Sequence, residues 1–321
     1  MHKLKKKYRK EFLKLLYAFK DFRCEDAVVI YSEPRSGSTW LMEIIQYYTP
    51  NSVINWEPLD HRKGVLPSNC NIGWRLGKPI DEENNFQIIS YFKEIITMKK
   101  INHHTLMLAG IKELFSAKWV ITKFVRANEI IPLLLGNFPD TRFIYLQRHP
   151  LVCSVSQLKN FNKINSSNIW NEIPTSELPE IFNLPGFEKD RAFILTLNTY
   201  IEREVAIWCF YAIRLENRIQ DKEHNIFKVF YEELVNEPFA VLERINEKFR
   251  FLNLEKPDFP FNNASKSNYR NTYDYEDRLK NNSIFNSWES EKLEKIQAVF
   301  NHFKYRTYTA FSPYPRVLIN E

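Results

Sequence analysis

Glu33-Pro34-Arg35-Ser36-Gly37-Ser38-Thr39 puts a guanidinium, three hydroxyls and a glycine into seven consecutive residues. An apolar, β-branched run precedes it, Ala27–Ser32, and a helix-like run follows, Ser38–Tyr48. A strand that turns tightly into a helix presents backbone N–H groups with no intrahelical partner, and the helix dipole adds partial positive charge. Such a turn binds anions, phosphate above all. Gly37 lets the backbone approach the ligand. Ser36, Ser38 and Thr39 offer hydroxyl hydrogen bonds, and Arg35 adds a fixed charge with a fork of donors. The turn is not a G-x-x-x-x-G-K-[ST] loop, because no glycine opens it and no lysine follows Gly37. Gly73-Trp74-Arg75-Leu76-Gly77-Lys78 is closer in composition only; its spacing is short and Pro79 stands where a hydroxyl is needed.

A second group lies in "RFIYLQRHPLVCSVSQLKNF", residues 142–161. Arg148 ends a strand-like run, and Ser156 lies two turns into the helix-like run that follows. Ligands of open α/β sheets collect beyond the carboxyl ends of the strands. If the two strands are neighbours, Arg148 and the Arg35 turn face one crevice. Two anion pockets in one crevice imply a ligand with two separated phosphates.

The elements that must position these groups alternate. Strands are expected at Ala27–Ser32, Ser52–Trp56, Leu106–Ile111, Trp119–Val125, Arg142–Gln147 and Ile226–Tyr231. Helices are expected at Ser38–Tyr48, Phe86–Lys99, Asn128–Asn137, Pro150–Phe161, Arg191–Arg218, Phe239–Phe249 and Trp288–His302. Residues 57–84, 162–190 and 262–287 read as irregular. The alternation predicts an α/β fold, a three-layer sandwich with a central parallel sheet and helices on both faces. No internal repeat or linker stands out, so residues 24–321 read as a single domain.

The chain has 321 residues, 44% of them hydrophobic, which describes a folded globular protein. Its net charge of +6 belongs to one segment: residues 1–20 carry eight Lys or Arg against one Glu. A nucleic-acid binder would spread that charge over a face of its domain, so no nucleic-acid partner is expected. Leu4, Tyr8, Phe12, Leu15, Leu16 and Phe19 recur at helical spacing among those lysines. Residues 1–23 therefore read as a basic amphipathic helix, packed on its own domain or a partner, or touching an anionic membrane surface. Cys24, Cys70, Cys153 and Cys209 are too scattered for a zinc site and read as free thiols. With no long apolar run and no signal-peptide core, a cytoplasmic location is expected.

"SEPRSGSTWL" together with "YLQRHPLVCSVSQ" resembles the sulfotransferases that use 3′-phosphoadenosine 5′-phosphosulfate (PAPS). "VFYEELVNEP" (Val229–Pro238) resembles that family's Y-E-x-L-x-x-x-P segment, and "FNSWESEKLEKI" (Phe285–Ile296) its C-terminal Trp-bearing helix. The pieces occur in family order. The resemblance implies a P-loop-like fold in which Arg35, Ser36, Gly37, Ser38 and Thr39 hold the 5′-phosphosulfate and Arg148 and Ser156 the 3′-phosphate. It also implies that Trp40 and Tyr231 line the nucleotide site and that Arg35 stabilises the leaving phosphate. Cytosolic relatives place a His shortly after a Lys; here Lys123 is followed by Phe124, Val125 and Arg126. Carbohydrate-type relatives carry Glu-Pro after the second strand, and "INWEPLD" supplies Glu57-Pro58. The resemblance is therefore nearest that type, with Glu57 as catalytic base and His61 the second choice. His103 and His104 read as surface or core residues. Lys266 and Arg270 lie where relatives fold a loop over the nucleotide, and His149 departs from the Asp or Asn often found there.

The reaction implied is sulfuryl transfer from PAPS to a hydroxyl or amine of a carbohydrate or small molecule. No metal constellation is evident in the sequence, and none is expected to be needed. Two rival readings are a P-loop-type nucleotide kinase or hydrolase and a non-catalytic membrane-docking module.

Overall fold

The computed structural model describes residues 20–60, 62–66, 86–173, 178–257, 259–261 and 283–319, with 11, 12 and 15 besides. Five strands form one all-parallel sheet: β1 (Ala27–Ser32), β2 (Ser52–Asn55), β3 (Trp119–Val125), β4 (Arg142–Gln147) and β5 (Ile226–Phe230), in the order β2-β3-β1-β4-β5. All six residues of β1 are buried, as a central strand covered on both faces requires. Its side chains alternate between two cores. Val28 and Ile30 meet helices α1 (Ser38–Tyr48), α8 (Tyr231–Asn236) and α9 (Pro238–Phe249) through Leu41, Ile45, Leu234 and Leu242. Ala27, Val29 and Tyr31 meet α2 (Phe86–Ile96), α4 (Ile131–Asn137) and α7 (Tyr200–Ile219) through Phe92, Leu134 and Leu215. The expected three-layer architecture is thus present, its two helical layers set by the period-2 pattern of the strands.

The remaining helices flank this frame: α3 (Ile111–Ser116), α5 (Pro150–Asn160), α6 (Glu188–Thr196), α10 (Ser283–Ser287), α11 (Ser290–His302) and α12 (Arg316–Ile319). From β1 the chain leaves to one side of the sheet, towards β2 and β3. It then crosses to β4 on the other side. The β1/β4 boundary is therefore the topological switch point, where such sheets open a crevice.

Several sequence expectations need correction. Leu106–Ile111 forms no strand: Asn102 Oδ1 accepts from His104 N (2.8 Å) and Thr105 N (3.0 Å), which folds the chain into a turn, and α3 starts after Gly110. Arg191–Arg218 is not one helix. The break at Leu197–Thr199 is made by Thr199, whose hydroxyl accepts from Glu202 N to start α7. Thr199-Tyr200-Ile201-Glu202 carries the S/T-x-x-E signature of such a start. Tyr231 belongs to α8 rather than to β5. Most of the expected N-terminal helix lies outside the described residues, as do His61, Cys70, Gly73–Lys78, Lys266 and Arg270.

Candidate functional site at the carboxyl ends of the strands

Each of the five strands places a candidate site residue at or near its carboxyl end. In sheet order these are Glu57 after β2, Lys123 on β3, the Arg35–Thr39 turn after β1, Arg148 after β4 and Tyr231 after β5.

The turn after β1 is held open by Gly37, which caps α1 at φ 91°. A Cβ there would also overlap the Tyr231 ring. Both the backbone angle and the close approach thus demand glycine. Arg35 takes the left-handed conformation without glycine's freedom (φ 69°), as do Glu57 (φ 37°) and Arg126 (φ 58°). These three residues follow β1, β2 and β3 in turn, and such strain gathers where a structure must aim a side chain.

Arg35 Nε donates to Ser156 Oγ at 2.9 Å, across 121 residues of sequence. Arg148 Nη1 donates to the Arg35 carbonyl at 3.3 Å, and its guanidinium lies 4.0 Å from the centroid of the Tyr231 ring. Tyr231 also meets Trp40 edge-on, 5.9 Å between centroids. The structure therefore brings Arg35, Gly37, Trp40, Arg148, Ser156 and Tyr231 into one cluster at the switch point. Ser36 is fully buried beneath the turn, with its Oγ 3.5 Å from Cys153 Sγ. Burial pushes the Cys153 thiol up to about 12, so it stays protonated.

Lys123 links this cluster to Glu57. Its ammonium donates to Thr39 Oγ1 at 2.9 Å, pairs with Glu57 Oε1 at 2.5 Å and lies 4.1 Å from the centre of the Trp56 ring. Burial lowers the Lys123 pKa; Glu57 acts in the opposite direction. Lys123 thus brings to the turn the ammonium that a Walker loop carries within its own sequence.

His104 is no isolated surface or core residue. A ring nitrogen of His104 and carboxylate oxygens of Glu57 and Asp60 lie within 4.8 Å of one another. Nothing in the spacing of Glu57, Asp60 and His104 along the chain points to this constellation. Lys123 already stands on the Glu57 carboxylate, where a divalent cation would have to bind. His103, by contrast, pairs with Glu11.

A sequence-family model described as the sulfotransferase domain matches residues 25–304. The chain belongs to the sulfotransferase domain family. Among solved structures it is similar to the sulfotransferase domain from the curacin biosynthetic pathway, at 15% identity over 89% of this chain and 99% of that one, with a TM-score of 0.41. It is also similar to mouse sulfotransferase SULT7A1 complexed with PAP, at 16% identity over 90% and 88% of the two chains, TM-score 0.41. A third is the sulfotransferase domain from the Synechococcus PCC 7002 olefin synthase, at 14% identity over 89% and 97%, TM-score 0.39. No curated protein sequence matches.

Within this sulfotransferase domain, His149 proves to be a cap rather than a ligand. Its Nδ1 accepts from Leu151 N at 3.1 Å to start α5, and its Nε2 donates to the Thr309 carbonyl at 2.8 Å. Burial holds its pKa down at about 3, so the ring is neutral. Glu232 supports the same corner by accepting from His149 N (3.0 Å) and the Tyr308 hydroxyl (2.8 Å). Tyr231-Glu232 thus divides its work: the ring lies against Arg148, and the carboxyl group anchors the backbone that follows it. Among the described residues, no helix is long and apolar enough to cross a membrane.

Proposed function

We propose that this domain transfers the sulfuryl group of PAPS to a hydroxyl or amine of a carbohydrate or small-molecule acceptor. The observation that carries the reading is the Arg35–Ser156 hydrogen bond, which joins the phosphate-type turn to the Arg148 element in one crevice. Arg35, Gly37, Ser38 and Thr39 receive the 5′-phosphosulfate, while the Ser36 hydroxyl, buried against Cys153, supports the turn from beneath; Arg148 with Ser156 receives the 3′-phosphate. Trp40 and Tyr231 form the wall beside the adenosine. Glu57 and Arg148 follow strands three sheet spacings apart, about 14 Å, so acceptor and 3′-phosphate occupy opposite ends of the crevice.

In the reaction the acceptor oxygen or nitrogen bonds to sulfur while the bond from sulfur to the 5′-phosphate oxygen breaks. The acceptor proton passes to Glu57. Charge grows on the departing phosphate, where Arg35 and Lys123 stabilise it. The sulfuryl group carries less negative charge than a phosphoryl group, so these cations serve without a metal. The Glu57-Pro58 pair favours the carbohydrate type of acceptor.

A nucleotide kinase or hydrolase would bind ATP with magnesium. Calorimetry of the protein with 3′-phosphoadenosine 5′-phosphate (PAP), against ATP and magnesium, separates the readings. Tight binding of PAP alone supports sulfuryl transfer; a preference for magnesium ATP overturns it.

A further inference from the structure

The Nε2 atom of His104 is buried and has no hydrogen-bond partner among the described residues. A buried polar atom left unpaired carries its full desolvation cost. The ring is nevertheless held beside two carboxylates. The Asn102 turn fixes its backbone, and the next residue, Thr105, accepts from Trp56 N at 2.9 Å. The chain carrying His104 is thereby tied to the residue before Glu57. The 4.8 Å limit on the separations among His104, Glu57 and Asp60 is the reach of one bridging water.

We propose that His104 is the proton-relay partner of Glu57, accepting over one water the proton that Glu57 takes from the acceptor. The inference rests on the proposed sulfuryl transfer. The proton moves from the acceptor to the Glu57 carboxylate, then to a ring nitrogen of His104, and leaves to solvent from the part-exposed imidazole. Glu57 is thereby returned to its anionic form for the next turnover. His104 acts through Glu57 and does not touch the acceptor.

The charged groups acting on His104 are Asp60 and Glu57, which favour its protonation, and Lys63 and Lys123, which oppose it. Burial is the largest influence and lowers its pKa, so at neutral pH the ring is an empty proton acceptor.

The test is an NMR titration of the His104 imidazole in the full chain, wild type and Glu57→Gln. Removing the Glu57 charge should lower the His104 midpoint by about half a pH unit or more at this separation. His302, which pairs with Asp190 elsewhere, serves as the unmoved reference. An unchanged His104 midpoint overturns the relay. In steady state with PAPS and a panel of hexosamine and phenol acceptors, His104→Ala should lower kcat about tenfold and leave the KM for PAPS unchanged. Added imidazole should restore the rate. Wild-type kcat in His104→Ala overturns the proposal, and so does full activity in His104→Gln, which keeps the shape and cannot carry the proton. A wild-type protein that fails to bind PAP overturns the donor assignment and leaves the His104–Glu57 coupling measurable.

Discussion

Arg35 Nε lies 2.9 Å from Ser156 Oγ, although the two residues belong to different strand–helix units. Arg35 follows β1, Ser156 lies on the helix after β4, and the parallel pairing of those strands makes the contact possible. The bond constrains the orientation of the guanidinium. Ser156→Ala should weaken PAP binding by about 1 kcal/mol, roughly fivefold, through loss of this orientation and of the 3′-phosphate contact. Calorimetry on a variant with an unchanged melting temperature checks it.

Gly37→Ala tests the turn itself. The alanine would sit at φ 91° with its methyl group in the Tyr231 ring. The expected cost is about 1–3 kcal/mol of stability together with loss of PAP binding. Adding Tyr231→Ala removes the overlap but leaves the backbone angle, so thermal melts of the double variant should recover only part of the loss.

The clustering of the candidate residues that lie close in sequence was legible. Arg35, Gly37, Arg148 and Ser156 lie in two short stretches whose strand–turn–helix pattern fixes their direction. The contact between Lys123 and Glu57 was not legible, because it depends on β2 pairing with β3. His104 was missed for a related reason. Its turn follows from Asn102 side-chain bonds, whereas the apolar run Leu106–Ile111 suggested a strand. The break before α7 was readable from Thr199 and Glu202, but the continuous apolar spacing on either side masked it.

Glu57→Gln should keep PAP affinity within about twofold and lose about 100-fold or more in turnover. Lys123→Met should lose turnover by a similar factor, about 100-fold, since both Glu57 and the 5′-phosphate end then lack their shared cation. Full turnover in Glu57→Gln, measured as PAP released from PAPS, would remove Glu57 as base.

The buried neutral His149 makes stability depend on pH. Its folded pKa of about 3 lies below the ordinary value of 6.5, so the unfolded chain binds more protons between those limits. The stabilisation is complete above pH 6.5 and is lost as the pH falls towards 3. Wild-type unfolding free energy should therefore drop by about 1 kcal/mol per pH unit more steeply than that of His149→Gln between pH 6 and 4. Denaturant melts at pH 6, 5 and 4 measure it; parallel slopes in the two proteins would contradict the neutral cap.

In the proposed reaction two phosphate pockets, one at the Arg35 turn and one at Arg148, share a single nucleotide. Calorimetry of wild type and Arg148→Ala with PAP and with adenosine 5′-phosphate tests it most directly. Arg148→Ala should lose about 100-fold in affinity for PAP, the loss of a charge-assisted bidentate contact, and less than about threefold for the nucleotide without a 3′-phosphate. Equal losses for the two nucleotides would contradict the account.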